Sequence, residues 1–70
     1  MKQLLLEVKK IVKQTPRASF ANPRVAIEDG AIIVRAGSSA DACRFIEALR
    51  NNGYTATVSP YDWRVITCNK

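Results

Sequence analysis

The chain contains no histidine among its 70 residues. That absence removes the commonest general base, the usual partner of a serine nucleophile and the commonest metal ligand. The carboxylates of Asp41, Glu47 and Asp62 are scattered over a predicted helix and a predicted turn, with no base near a candidate nucleophile. We therefore expect a protein that is not an enzyme, with no catalytic residue, no metal and no cofactor.

Cysteine is also scarce, with Cys43 in a predicted helix and Cys68 at the end of a predicted strand. The sequence has neither a Cys-x-x-Cys spacing nor an even set of four or more cysteines. It therefore indicates neither a zinc site nor a disulfide framework. Free cysteine is among the residue types most often found buried. We expect two buried or half-buried thiols, and a disulfide between Cys43 and Cys68 is the alternative.

Long apolar runs are missing as well. The longest candidate, Leu4-Leu5-Leu6, is interrupted by Glu7, Lys9 and Lys10. A secretory signal needs an apolar core of about 7 to 15 residues, and a membrane span needs more. The sequence therefore predicts a cytoplasmic protein without a membrane partner.

Acidic residues are few. The chain has six aspartates and glutamates and eleven lysines and arginines, which gives a net charge of +5 and an isoelectric point near 9.7. A chain of this length forms one small domain, residues 1–70, with little room for a cleft. The positive charge favours acidic partners, either a protein with an acidic surface or nucleic acid, rather than a small-molecule substrate.

Residues 2–14 have the periodicity of an amphipathic helix. The apolar side chains that share one face are Leu4, Leu5, Val8, Ile11 and Val12. The opposite face carries Lys2, Lys9, Lys10 and Lys13. The simplest interpretation is a solvated face, and the alternative is an anion-contacting surface that includes Lys9 and Lys13.

A second helix is predicted to start near Ser39, because Ser38 and Asp41 have capping-box spacing ahead of a new apolar stripe. The polar side of this helix is predicted to include Asp41. Asn51-Asn52-Gly53 tolerates positive φ and predicts the end of the helix, with Gly53 as its cap.

Residues 24–28 and 31–35 predict two strands joined by Asp29-Gly30, which favours a two-residue type I′ turn. That turn fixes the register and places Arg24 directly opposite Arg35, on the same face as Ile33. Two arginines in that position repel each other unless an acidic group lies near them. This pair is either a solvated end of a hairpin or a contact for an anion or an acidic partner.

A second hairpin is predicted from residues 54–59 and 63–68, with a turn at residues 59–62. Trp63, beside this turn, is expected to cover the core, and the alternative is an exposed interface anchor. Residues 16–23 contain two prolines and predict a connecting loop, in which Phe20 is expected to close the edge of the core.

The element order α-β-β-α-β-β predicts an α+β two-layer sandwich, in which two helices cover one face of a four-stranded antiparallel sheet. A circularly permuted ferredoxin-like topology with strand order 1-2-4-3 is one economical solution. The other face of the sheet is expected to be open.

The segments 33–38, 45–49, 53–58 and 63–65 resemble the first half of a SPOR domain, a peptidoglycan-binding ferredoxin-like module. The resemblance covers about half of the chain and implies a strand-helix-hairpin architecture. We transfer no function and no residue role from it.

Two functions remain in competition. The first is an inhibitor or adaptor that occludes a partner's acidic surface, as small phage counter-defence proteins such as anti-CRISPR proteins do, with Tyr61 and Trp63 as anchors. The second is a nucleic-acid-binding module on the open sheet face, using Arg24, Arg35 and Arg64. The aromatic rings expected to stack on bases in that module are Tyr54, Tyr61 or Trp63. Pairing of edge strands into a homodimer is a further possibility. The candidate binding residues are Lys9, Lys13, Arg24, Ile33, Arg35, Tyr61, Trp63 and Arg64.

Overall fold

The computed structural model describes residues 2–70 and confirms the predicted order of elements. The two helices are α1 (Lys2–Gln14) and α2 (Ser39–Asn51). The four strands are β1 (Arg24–Glu28), β2 (Ala31–Arg35), β3 (Thr55–Val58) and β4 (Val65–Asn69). None of the helices within residues 2–70 has the length and apolar character needed to cross a membrane.

Both ends of α2 follow from local sequence. At its start the side chain of Ser38 accepts a hydrogen bond from the backbone N–H of Asp41. At its end the N–H groups of Gly53 and Tyr54 donate to the carbonyls of Arg50 and Leu49, with N···O distances of 3.1 and 3.0 Å. This is a Schellman arrangement, and it requires the positive φ of 87° that Gly53 adopts.

The β1–β2 hairpin has the predicted turn and register. Asp29 and Gly30 have φ values of 50° and 76°, as a type I′ turn requires. Arg24 pairs with Arg35, and each following residue of β1 pairs as expected down to Glu28 with Ala31. Side chains therefore alternate between a helix-covered face and an open face in the predicted phase.

The antiparallel sheet has the order β1-β2-β4-β3, which is the order predicted for a permuted ferredoxin-like topology. Helix α1 packs on α2 and on β1, and α2 also packs on β3 and β4. One core lies between the helices and the sheet, and its largest fully buried apolar side chains are Val8, Ile32, Val34, Phe45, Leu49 and Ile66. β1 and β3 are the edge strands.

Four expectations about single residues were wrong. Asp41 was expected on the polar side of α2 and is fully buried, because it binds the loop that precedes β1. Cys43 was expected to be buried or half-buried and is exposed; both thiols are free, so the alternative disulfide is also absent. Phe20 and Trp63 were expected to cover the core, and both side chains are largely exposed. The last strand starts at Val65 rather than at Trp63.

Candidate functional site

Three connections lie together at one end of the domain: residues 15–23, 36–38 and 59–64. They follow α1, β2 and β3, and the antiparallel register directs all three to the end where β1 and β4 begin. We call this surface the loop end. The opposite end carries the Asp29-Gly30 turn and the C-terminus of α2.

Direct contacts join the three connections. The N–H of Ala36 donates to the carbonyl of Arg64 at 2.8 Å, which ties residues 36–38 to the β3–β4 turn. On its other side Gly37 lies against Ser19 and Ala21, and a Cβ at position 37 would lie 2.9 Å from the Cβ of Ala21. Only glycine permits that approach, so the loop before β1 and the β3–β4 turn flank the same short segment.

Asp41 fixes the loop that carries Phe20. Its two carboxylate oxygens accept hydrogen bonds from the backbone N–H groups of Ala18 and Ser19, at 2.8 and 3.1 Å. The Asp41 side chain has no exposed surface. A loop without secondary structure is therefore held by a buried carboxylate of α2.

The loop end presents three of the five aromatic residues. Phe45 and Tyr54 lie in the core, whereas Phe20, Tyr61 and Trp63 are 102%, 96% and 73% exposed. Burying one large apolar side chain stabilises a protein by about 1.5 to 3 kcal/mol. Three rings on one surface therefore lack that stabilisation, and the contacts of Gly37 and Asp41 hold the loop of Phe20 in this position.

Trp63 lines an apolar groove on the helix-covered side of the loop end. The groove has a volume of about 230 Å³ and is lined by Ser39, Ala42, Cys43, Ile46, Val58 and Trp63. It separates the N-terminal turns of α2 from the end of β3. We call it the Trp63 groove.

Tyr61 lies on the other side, at the margin of the open sheet face. It borders a shallow concavity of about 590 Å³ whose lining also includes Glu28, Ile33, Arg35, Val65 and Thr67. The structure thus brings the predicted site residues Ile33, Arg35 and Tyr61 together. It separates Tyr61 from Trp63, which the sequence grouped as one anchor.

Two of the three predicted arginines are neutralised. Arg35 forms a bidentate ion pair with Glu28, in which the distance from Arg35 Nη2 to Glu28 Oε1 is 3.0 Å. Glu28 therefore relieves the repulsion expected between Arg24 and Arg35. The hydrogen bonding within this ion pair lowers the pKa of Glu28 and raises the pKa of Arg35. Arg64 pairs with Asp62 at 3.3 Å, and the backbone and side-chain bonds from Arg64 lower the pKa of Asp62.

Arg24 takes part in neither of these two ion pairs and is exposed at the first position of β1. It lies beside the loop end on the open face of the sheet, opposite Arg35. Among the predicted arginines within residues 2–70, it is the one whose charge is left without a carboxylate within ion-pair distance.

Lys9 and Lys13 line a third cavity, between α1 and β1. Its volume is about 250 Å³, and its other lining residues are Val12, Arg17, Asn22, Pro23 and Val25. We call it the β1 groove. Arg17 was not predicted as a site residue, because its approach to α1 depends on the path of the loop and leaves no sequence periodicity.

Within residues 2–70 no three histidine, cysteine, aspartate or glutamate side chains are grouped so that they could bind a metal ion. In comparisons with known proteins, no family model, no curated protein and no solved structure matches this chain. The comparisons therefore give no support to the resemblance of residues 33–65 to half of a SPOR domain.

Proposed function

We propose that this protein is a non-enzymatic binding protein that uses the loop end to contact and occlude an acidic surface of a partner protein, as an inhibitor or adaptor. One observation carries the proposal: Phe20, Tyr61 and Trp63 are all exposed and all lie on that one end. Aromatic side chains and arginine supply most of the binding free energy at protein interfaces.

The loop end is also preorganised. The hydrogen bonds that the loop of Phe20 donates to Asp41, and the bond from Ala36 to Arg64, hold the aromatic residues on a fixed backbone. Binding a partner then costs this protein less conformational entropy than it would with a mobile loop. The net charge of +5 favours encounter with an acidic surface.

Small phage-encoded counter-defence proteins, which inhibit by occlusion, are the class of protein that this proposal fits. We propose a cytoplasmic location, because Cys43 is a free, exposed thiol and such thiols persist in a reducing compartment. Neither a small-molecule substrate nor a cofactor is part of the proposal.

Site-specific photocrosslinking in the native host tests the proposal. A photoreactive phenylalanine analogue replaces Phe20 in one variant and Trp63 in another, and a matched control carries it at Gln3, exposed on α1. We expect positions 20 and 63 to crosslink to the same protein and position 3 not to do so. Equal crosslinking at all three positions, or none at 20 and 63, would reject the loop end as the contact surface.

The purified partner then permits a quantitative test. We expect Phe20→Ala combined with Trp63→Ala to weaken binding at least about a hundredfold, since each hot-spot ring contributes roughly 2 kcal/mol or more. Thermal unfolding should change little, because both rings are exposed. Leu6→Ala, which removes an exposed leucine from α1, is the control. If Trp63→Ala alone unfolds the domain, Trp63 is part of the core and cannot be an anchor.

A nucleic-acid module is the second candidate, favoured by the concavity that joins Tyr61 with Arg35 on the open sheet face. Fluorescence anisotropy with labelled single-stranded DNA, duplex DNA and RNA tests it. Micromolar binding that falls at least tenfold between about 50 and 200 mM salt, with a slope reduced by Arg24→Ala or Arg35→Ala, would support this candidate. The two ion pairs of Arg35 and Arg64 weaken the expectation, since they neutralise charge that phosphates would need.

A further inference from the structure

The outer side of β1 has free backbone hydrogen-bonding groups. The residue pair next to a two-residue turn is hydrogen-bonded, so Glu28, Ala26 and Arg24 direct their N–H and C=O groups toward β2. The N–H and C=O groups of Val25 and Ile27 therefore point outward. No other strand in residues 2–70 lies on that side.

The β1 groove lies beside this edge, on the helix-covered side of the sheet. Three cations line it, Lys9, Lys13 and Arg17, and no carboxylate is among its lining residues. Asn22 Oδ1 accepts a hydrogen bond from Arg17 Nη2 at 2.7 Å, which holds the guanidinium in place and leaves its other N–H groups available. The walls between the cations are apolar, from Val12, Pro23 and Val25.

The charged side of α1 runs above the edge. Lys9, Lys13 and the exposed Leu6 lie within about 60° of one another around the helix axis. This side of α1 borders the β1 groove, since Lys9 and Lys13 both line it. At the far end of β1, Ile27 exposes part of its side chain on the same face of the sheet as Val25.

We propose that the β1 edge binds an extended, acidic segment of the partner protein as a fifth strand, whose carboxylates pair with Lys9, Lys13 and Arg17. The proposal rests on the proposed function and names the chemistry of the partner. In an added strand every second side chain points toward the helices. Those side chains meet three cations, so acidic residues at every second position are complementary to the groove. The apolar residues between them then lie on the open face of the sheet.

Charge and backbone act together in this mode of binding. Main-chain hydrogen bonds to Val25 and Ile27 supply affinity for any extended chain, and the side-chain groove selects among sequences. The absence of a carboxylate from the groove lining means that no internal ion pair must break before an acidic chain binds. The groove also borders the loop end through Arg17, so one partner can reach both surfaces.

A synthetic probe tests the inference without the natural partner. The probe is a fluorescein-labelled decapeptide of alternating glutamate and valine, titrated with the full chain at about 50 mM salt and followed by anisotropy. We expect binding that weakens at least about tenfold in the variant Lys9→Glu with Lys13→Glu, because like charges then face the peptide. The variant Lys10→Glu with Arg44→Glu has the same net charge and changes residues outside the groove, so it should retain most of the affinity.

Strand pairing has its own readout. We expect amide hydrogen exchange at Val25 and Ile27 to slow when the probe binds, while exchange at Val58, whose N–H points outward from the opposite edge strand, stays the same. A probe with proline at its central positions should bind at least about tenfold more weakly, since proline lacks the N–H that pairing needs.

Several results would overturn the inference. They are no binding of the probe up to about 1 mM, equal binding of the proline probe, and equal loss of affinity in the two charge variants. Displacement of the probe by millimolar inorganic phosphate would indicate a small-anion site instead, and tighter binding of single-stranded DNA that needs the same lysines would indicate a nucleic-acid surface. A concentration-dependent dimer that protects Val25 and Ile27 would assign the edge to a second copy of this chain.

Failure here is distinguishable from failure of the proposed function. If the protein crosslinks through positions 20 and 63 but does not bind the probe, the loop-end contact is supported and the inference of a fifth strand is wrong. If the protein binds the probe but gives no crosslink at the loop end, the strand site is supported and the proposed contact surface is wrong.

Discussion

At the scale of single residues, the two cysteines have opposite environments. Cys68 is fully buried in β4, and burial raises the pKa of its thiol. Cys43 is exposed on α2 and lines the Trp63 groove. The thiolate is the species that reacts with electrophiles. Cys68 is protected because its sulfur is buried and its raised pKa disfavours the thiolate, whereas Cys43 is accessible.

We therefore expect one thiol to react in the native protein. A colourimetric thiol reagent should modify about one equivalent quickly under native conditions and a second equivalent in denaturant. Mass spectrometry should place the first label on Cys43, and Cys43→Ser should abolish the fast phase. Rapid reaction of both thiols in the folded protein would contradict the burial of Cys68.

Residue patterns alone could not reveal Asp41. Its spacing from Ser38 indicated a helix cap, and the Ser38 half of that cap is present at 3.2 Å. The carboxylate itself binds the N–H groups of Ala18 and Ser19, more than twenty positions earlier in the chain. A capping rule covers only neighbouring residues, and the helical periodicity placed Asp41 on the solvated side of the helix.

At the scale of elements, the loop between α1 and β1 depends on that carboxylate. Asp41→Ala leaves two backbone N–H groups without an acceptor, and we expect it to lower the free energy of unfolding by about 2 kcal/mol. For a domain of this size the melting temperature should fall by roughly 10 °C. Differential scanning calorimetry measures the change, and Glu47→Ala on the exposed side of α2 is the control.

Hydrogen exchange separates this cause from a general loss of helix stability. The amides of Ala18 and Ser19 should exchange rapidly in Asp41→Ala at temperatures where the amides of Phe45 and Leu49 stay protected. If all four amides lose protection together, the carboxylate stabilises the helix rather than the loop.

Elements whose geometry is local were predictable from sequence. The positive φ angles that Asp29-Gly30 favours fixed one turn, and that turn fixed five residue pairs of the β1–β2 register. The exposure of Phe20 was not predictable, because an aromatic residue in a loop is expected to be buried by the hydrophobic effect. The loop that carries Phe20 is held by contacts that no local pattern reveals, among them the approach of Gly37 to Ser19 and Ala21, which joins two loops distant in sequence.

The same limit applies to the candidate site. Tyr61 and Trp63 were recognisable because both flank a turn, and Lys9 and Lys13 because they share a helix face. That Trp63 faces α2 while Tyr61 faces the open sheet depends on how the β3–β4 connection crosses the edge of the sheet. Arg17 joins the lysines only through the folded loop.

At the scale of the whole molecule, two buried groups determine how stability varies at high pH. Burial raises the pKa of Cys68. Burial, followed by the hydrogen bond from the Tyr54 hydroxyl to Glu7 Oε2 at 3.1 Å, raises the pKa of Tyr54. Both groups thus bind their protons more tightly in the folded than in the unfolded chain. Their contribution to stability is complete below the unfolded pKa values and is lost as the pH rises.

The carboxylates of Glu28 and Asp62 act in the opposite direction. Their pKa values are lowered in the folded chain by bonds to Arg35 and Arg64, so their contribution is present above the unfolded values and is lost as the pH falls through the folded ones. Both ion pairs are exposed, and such pairs contribute little to stability. The acid side of the stability curve should therefore be shallow compared with the alkaline side.

We expect urea unfolding measured from acid to alkaline pH to show a plateau that ends near pH 8.5, where an unfolded cysteine begins to ionise, and a second fall beginning near pH 10, the ordinary value of tyrosine. Cys68→Val should remove the first fall and Tyr54→Phe the second, because each deletes the group that releases a proton on unfolding. Tyr61→Phe, at an exposed position, should leave the curve unchanged. An alkaline limb that survives in the double variant would mean that other groups, such as the lysines of α1, control stability there.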